Sequence, residues 1–208
     1  MRCVAICVLA IATICGTNTL ARAETPITEL YFRSSFISWV GKGQTKDIKP
    51  SDGYNFYAET TDEYITGGNK SGLLFRVVST PDTDLDYWDL DFLGPGFTRP
   101  VVGFYPNARR FLVDTSVPGL QFDGNHAGDN TLTGQFRVLE ATFNSSGVPI
   151  SYAVDFTQYD EGNVNAWIQG SFRFNSTVPI TPVPEPSTFA LAALGVATLY
   201  IARRIGAR

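Results

Sequence analysis

The sequence predicts an all-β domain, an antiparallel β-sandwich of about eight to eleven strands. Three observations predict it. Apolar and polar residues alternate with period two in one run after another. Clusters of Gly, Asn, Asp and Ser separate these runs. No stretch carries amphipathic helical spacing of useful length in the same region, and the 13 % aromatic content suits pleated surfaces. A β-barrel is the alternative, because alternation identifies a buried face but not whether the sheet closes on itself.

The chain opens with "MRCVAICVLAIATICGTNTLARAETP". Arg2 supplies a positive start, Val4 to Ile14 an apolar run, and Ala21-Arg22-Ala23 small residues at the two positions a signal peptidase reads. The expectation is a signal peptide over 1–23, cleaved after Ala23. Cys3, Cys7 and Cys15 all lie within it, so the exported part is expected to hold no disulfide and no thiol chemistry. From Glu24 to Val183 there are 160 residues, enough for a sizeable core. That stretch has 11 basic and 19 acidic residues, a net charge of about −8. Such a surface disfavours nucleic acid and anionic lipid as partners.

The strand signals follow in order over the domain, 24–176. "YNFYAE" puts Tyr54, Phe56 and Ala58 on one face, and "LLFRVV" puts Leu73, Phe75 and Val77 together. "YWDLDF" turns Trp88, Leu90 and Phe92 inward and Asp89 and Asp91 outward. Thr133–Phe143, Pro149–Gln158 and Ala166–Asn175 read as an antiparallel meander joined by "NSSG" and "YDEGN". Within it Ile150, Tyr152, Val154 and Phe156 share one face. Ile168, Gly170, Phe172 and Phe174 share another, with Gln169, Ser171 and Arg173 opposite. "PSDG" at Pro50–Gly53 and "TGGNKSG" at Thr66–Gly72 are earlier turns.

Residues 177–183 form a Ser/Thr/Pro-rich spacer, expected to be extended. The chain then ends "VPEPSTFALAALGVATLYIARRIGAR". Ser187 to Ala202 is 16 residues without a charge, and as a helix it covers roughly 24 Å of a ~30 Å hydrocarbon core. Arg203 and Arg204 can snorkel and, by the positive-inside rule, stay cytoplasmic. The expectation is a transmembrane helix over 187–202 with the domain outside, in agreement with the signal peptide.

Over 184–208 the chain resembles the PEP-CTERM sorting signal of Gram-negative bacteria. Pro184, Glu185 and Pro186 match its motif, Thr188 to Ala202 its helix, and Arg203 and Arg204 its basic stop. The resemblance implies processing near the motif by an exosortase, a membrane transpeptidase or protease, in an organism that exports polysaccharide. The hydrophobic tail would then be lost, as in a GPI signal. Phe122 to Ser176 is also similar to a pattern seen in exported proteins of this kind: Asn-Thr-Leu-Thr-Gly, Val-Leu-Glu-Ala, Phe-x-Gln-x-x-Glu-Gly and Phe-Asn-Ser in order. That pattern implies one compact β domain and supplies no catalytic residue.

Candidate chemistry is sparse. The chain has one histidine, His126, and no Gly-x-Ser-x-Gly elbow, so a serine triad has little to build on. Asp160 and Glu161 are neighbours, and neighbours on a strand face opposite ways, which suits two-carboxylate hydrolysis poorly. Asp160 reads better as a cap on backbone groups in a turn. Glu140 and Asp155 are acids that nothing in the sequence selects. Asp82, Asp84 and Asp86 repeat every second residue like the opening of a calcium loop, but Tyr87 stands where that loop needs glycine and Leu93 where it needs glutamate. A looser calcium site there competes with an acid-rich strand edge that discourages pairing. Of Trp39, Trp88 and Trp167, Trp88 shares a face with Leu90 and Phe92, and Trp167 is the candidate for stacking on sugar.

The expectation is therefore a non-enzymatic exported protein without an obligatory cofactor, calcium aside. It is held transiently at the inner membrane, processed by an exosortase-type enzyme and delivered to the cell surface or an extracellular polysaccharide matrix in a structural or adhesive role. A carbohydrate- or calcium-binding module is the alternative.

Overall fold

A computed structural model describes residues 25–61, 71–81 and 86–180. The expected signal peptide with Ala21 and Ala23, the sorting segment with Pro184, Glu185, Pro186, Arg203 and Arg204, the helix over 187–202, Asp82, Asp84 and most of the Thr66–Gly72 turn lie outside these residues. Among the described residues no helix is long and apolar enough to cross a membrane.

Among the described residues ten strands follow one another: β1 Ile27–Ser34, β2 Thr45–Ile48, β3 Tyr54–Thr60, β4 Leu73–Ser79, β5 Tyr87–Leu93, β6 Gly103–Arg110, β7 Gly119–Gly124, β8 Leu132–Phe143, β9 Pro149–Asp160 and β10 Trp167–Ser176. A 3-10 turn at Pro50–Asp52 precedes β3, where the sequence placed a turn. The all-β expectation and the final meander are borne out. The sandwich is corrected: the strands form one sheet, in the order β2-β1-β10-β9-β8-β6-β7-β5-β4-β3, nearly closed into a barrel. The sheet is also mixed, because β6 and β7 run parallel through Arg109↔Gly119 and Arg110↔Leu120. This short ladder carries the hydrogen bonding around a corner that would otherwise divide two sheets. Periodicity could not reveal it, since each strand alternates alike in an open, stacked or rolled sheet.

The inside is filled by rings from opposite walls. Phe32 of β1 lies 4.5 Å from Trp88 of β5 and 5.1 Å from Phe122 of β7. Phe75 of β4 meets Phe172 of β10 at 4.8 Å and Tyr152 of β9 at 5.2 Å. Because walls far apart in the strand order touch, the barrel is flattened about an aromatic core. Leu73, Val77, Leu90, Val154 and Ile168 complete it, as the alternation predicts. Ile150 departs from its expected face and is exposed. It sits at the mouth of the β8–β9 hairpin, where the register shifts between Thr142 and Phe143. No hydrogen-bond ladder joins β2 to β3. Side chains bridge that seam instead: Lys46 Nζ is 3.6 Å from Asp86 Oδ1 and 5.5 Å above the Trp88 ring, and Phe56 lies 6.2 Å from Phe172.

Strand direction gives the barrel two distinct ends. β1, β4, β6, β7 and β9 run one way, and β2, β3, β5, β8 and β10 the other. Ile27 pairs with Ser176, so the chain comes in and leaves at one end. The β1–β2, β4–β5, β7–β8 and β9–β10 loops gather at the other. The outgoing chain is fastened as it leaves. Arg173, assigned to the outer face, is only 1 % exposed because residues 177–180 cross over it. Its Nε donates to Val178 O at 3.0 Å, its Nη2 to Pro179 O at 3.3 Å and to Asp155 Oδ1 at 2.9 Å. Glu140 holds the same stretch, accepting from Ser151 Oγ, Ser176 Oγ and the Thr177 amide.

Candidate functional site

The far end, opposite the chain's exit, carries a cluster of exposed apolar side chains. The β1–β2 loop reads "SFISWVGKGQ" from Ser35 to Gln44. It folds on itself through Ser38 N–H to Ser35 O (3.1 Å), Lys42 N–H to Ser38 O (3.0 Å) and Gly43 N–H to Ser35 O (3.0 Å). Gly43 has φ +73° and lies against the Phe36 ring, so any larger residue there would be both strained and obstructed. The loop's sequence divides it into two faces. Ser38 and Val40 point inward and are buried. Phe36, Ile37 and Trp39 point outward and are 92 %, 60 % and 64 % exposed. Lys42 Nζ sits 5.6 Å from the centre of the Trp39 ring. Val164, in the β9–β10 turn at the same end of the barrel, is exposed as well.

A polar layer fastens this loop to the barrel. Asp160, at the end of β9, accepts from Ser38 Oγ at 2.6 Å and from the Val40 amide at 3.3 Å on one carboxylate oxygen. Ser38 Oγ in turn accepts from the Gly41 amide at 2.9 Å. The Ser35 amide donates to Trp167 O at 2.9 Å, and the Trp167 amide to Ser35 Oγ at 3.1 Å. Asp129, from the β7–β8 loop, lies beside Asp160 and accepts from Gln158 Nε2 at 2.9 Å. Gln158 is fully buried and also bridges both backbone groups of Phe122. Burial, then the charges of Asp160 and Glu161, push the Asp129 carboxyl up to about 8. The cap assigned to Asp160 is thus present, but it reaches across the fold to the β1–β2 loop rather than within its own turn. Glu161 faces solvent and accepts from the Asn130 amide and Thr131 Oγ, which lower its pKa.

Two outer faces of the barrel differ in chemistry. On β3, β4, β5 and β7, Tyr57, Arg76, Asp89 and Asp123 lie in one cross-strand row, and Glu59, Leu74, Asp91 and Gln121 in the next. They line a depression of about 470 Å³. Burial raises Asp89 to about 6, with Asp123 adding to the shift and Arg76 opposing it. Burial and the neighbouring acids raise Asp91 well above the usual carboxylate range, and burial raises Asp123. On β1, β10, β9 and β8 the outer face is amide- and arginine-rich. Arg33, Gln169, Thr157 and Gln135 form one row there.

Trp167, the expected stacking residue, borders this second face and is half-buried, with the Arg33 guanidinium 5.5 Å from its ring centre. Trp88 is core. The freely exposed tryptophan is Trp39. Its signal was the apolar cluster Phe36-Ile37-x-Trp39 in a segment without strand alternation. Asp86, the described member of the expected calcium trio, accepts a hydrogen bond from Tyr54 Oη and faces Lys46. Among the described residues no three Asp, Glu, His or Cys side chains are placed to hold a metal ion. His126 is exposed, with its ring edge-on to Tyr87 at 5.8 Å.

Comparison with known proteins adds one match. Residues 182–204 fit the family model of the PEP-CTERM protein-sorting motif, a stretch that includes Pro184, Glu185, Pro186, Arg203 and Arg204. The motif supports an exported protein sorted by an exosortase-type enzyme. No curated protein matches the chain, and no solved structure matches its fold.

Proposed function

We propose that the β domain is a non-catalytic surface or matrix protein with a structural or adhesive role, and that its contact is made by the loop bearing Phe36, Ile37 and Trp39. The observation that carries this reading is the placement of three large apolar side chains on a hydrogen-bonded loop at the end of the barrel opposite the chain's exit. Exposed apolar clusters on a rigid support are the usual mark of a contact surface, and tryptophan is the residue most enriched at its centre. The sorting segment follows the exit, so a tethered chain presents this loop away from the bilayer.

The test is retention in the producing organism's surface matrix. Phe36→Ser with Trp39→Ser should leave the melting temperature nearly unchanged, because both side chains are already in water, and should release the protein into the medium. Unaltered retention of a folded double variant overturns the reading.

A second reading, a carbohydrate-binding module, is favoured by the Arg33–Gln169–Thr157–Gln135 row beside Trp167, which offers amides, a hydroxyl and an aromatic edge to a sugar chain. Loss of binding to the producing organism's purified exopolysaccharide in Trp167→Ala supports it. Unchanged binding there, with loss in the loop variant, assigns the contact to the loop.

A further inference from the structure

The carboxyl pair beneath the loop has two oxygens that no protein donor satisfies. Asp129 is 6 % exposed and Asp160 3 %. One oxygen of each is committed, to Gln158 on Asp129 and to Ser38 and Val40 on Asp160. Asp129 Oδ1 and Asp160 Oδ1 are buried without a partner, and the Asp160 carboxyl acts directly on that of Asp129. Two bare carboxylate oxygens in a dry site repel unless something positive lies between them. A calcium ion takes six to eight oxygens, and no third acidic side chain among the described residues converges here. A proton needs only two.

We infer that Asp129 and Asp160 form a one-proton site that clasps the β1–β2 loop, fastening it while the proton is bound and loosening it when the proton leaves. This rests on the reading of that loop as the contact surface and supplies its regulation.

The surrounding charges agree. Glu161, from the β9–β10 turn, adds negative potential and disfavours loss of the proton. Arg110, at the end of β6, donates to Asn130 O at 3.1 Å and acts on Glu161. Lys42, the loop's own cation, lies over Trp39. His126, on the same loop as Asp129, is turned to Tyr87. A carboxyl raised in the folded state contributes stability that is complete below its unfolded pKa, about 4, and is lost as pH rises through the folded value. For Asp129 that value is about 8.

The experiment uses the full-length chain in detergent, as wild type, Asp129→Asn and Asp160→Asn. Either amide keeps the accepting oxygen and turns a permanent N–H donor toward the remaining carboxylate, which imitates the protonated pair. Between about pH 7 and about pH 9.5 the wild-type melting temperature should fall about 3 °C further than that of an amide variant, which keeps only the decline due to the raised acids elsewhere on the barrel. At the higher pH, trypsin should cut after Lys42 several-fold faster in wild type than in the variant, a comparison at one pH that cancels the protease's own dependence. A flat wild-type profile, or an equal fall in both variants, overturns the inference. So does calcium restoring the wild-type value at high pH but not the variant's, which makes the site a cation's. None of these readouts depends on adhesion, so failure of the retention test at neutral pH and failure of the clasp are separate results.

Discussion

At the residue scale, two positions show how much the outcome depends on a single side chain. Gly170 pairs with Phe156 across β10 and β9, and the Phe156 ring lies over the glycine where a Cβ would stand. An aromatic covering a strand glycine recovers burial that the glycine itself cannot supply. The ring cannot retreat, because it is packed at 5.1 Å from Phe122 and 6.3 Å from Phe92. Gly170→Ala should therefore cost about 1–3 kcal/mol by overpacking, read in chemical denaturation. A neutral result would mean the core at this point is loose. Arg173 works in the opposite way, by satisfying carbonyls. It donates to Val154 O, Phe172 O, Val178 O and Pro179 O, while Asp155 remains partly in water. Arg173→Met keeps the packed stem and strips the donors, and should destabilise by about 2–3 kcal/mol. Recovery of wild-type stability in that variant would show that residues 177–180 are held by other means.

At the element scale, the outward face of β5 repeats Asp at Asp89 and Asp91 and meets Asp123 on β7. Their carboxyls are raised by burial, Asp89 to about 6; Asp123 and Asp89 add to the shift at Asp91 and Asp123 adds to it at Asp89, while Arg76 opposes it at Asp89 and Asp123. The stability they contribute is complete below about pH 4 and declines as pH rises through about 6 and beyond. Asp91→Asn removes the central charge. It should raise the melting temperature at neutral pH, change little near pH 4 and flatten the profile between. A variant less stable than wild type at neutral pH would show that the carboxylate has a positive partner. The same element shows what the sequence made legible. Period two placed Trp88, Leu90 and Phe92 inward and Asp89 and Asp91 outward, because a half-buried strand has to alternate. It could not show that the outward acids are themselves half-buried, which depends on Glu59, Leu74 and Gln121 from strands distant in the chain. Nor could it join Asp129 to Asp160, or either to Ser38, since those partners meet only once β1, β7 and β9 end at the same height. Trp39 was legible as apolar but not as exposed, because a loop has no period from which to infer a face.

At the scale of the whole molecule, the geometry sets the loop bearing Phe36 and Trp39 at the end opposite the chain's exit. β10 is ten residues long, about 33 Å at the rise of a strand, and separates the far loops from the exit. Arg173 and Glu140 hold the chain as far as Pro179. From Ile180 to Pro184 there are four steps of chain, which reach at most about 14 Å. A domain tethered through the sorting segment therefore has little room to turn over, and its near end stays close to the bilayer. The cysteines all fall within the first 15 residues, so single cysteines can report on this. Val164→Cys marks the far end and Ser146→Cys, in the exposed β8–β9 turn, the near end. In isolated protein both should react at similar rates with a bulky polymer-linked maleimide. On intact spheroplasts carrying the tethered chain, the far site should keep its rate while the near site slows several-fold. Once the sorting enzyme acts and the chain leaves the membrane, the two rates should converge again. Equal rates in the tethered state would mean that the barrel swings freely on its stalk, and the loop bearing Phe36 and Trp39 would then have no preferred outward aspect.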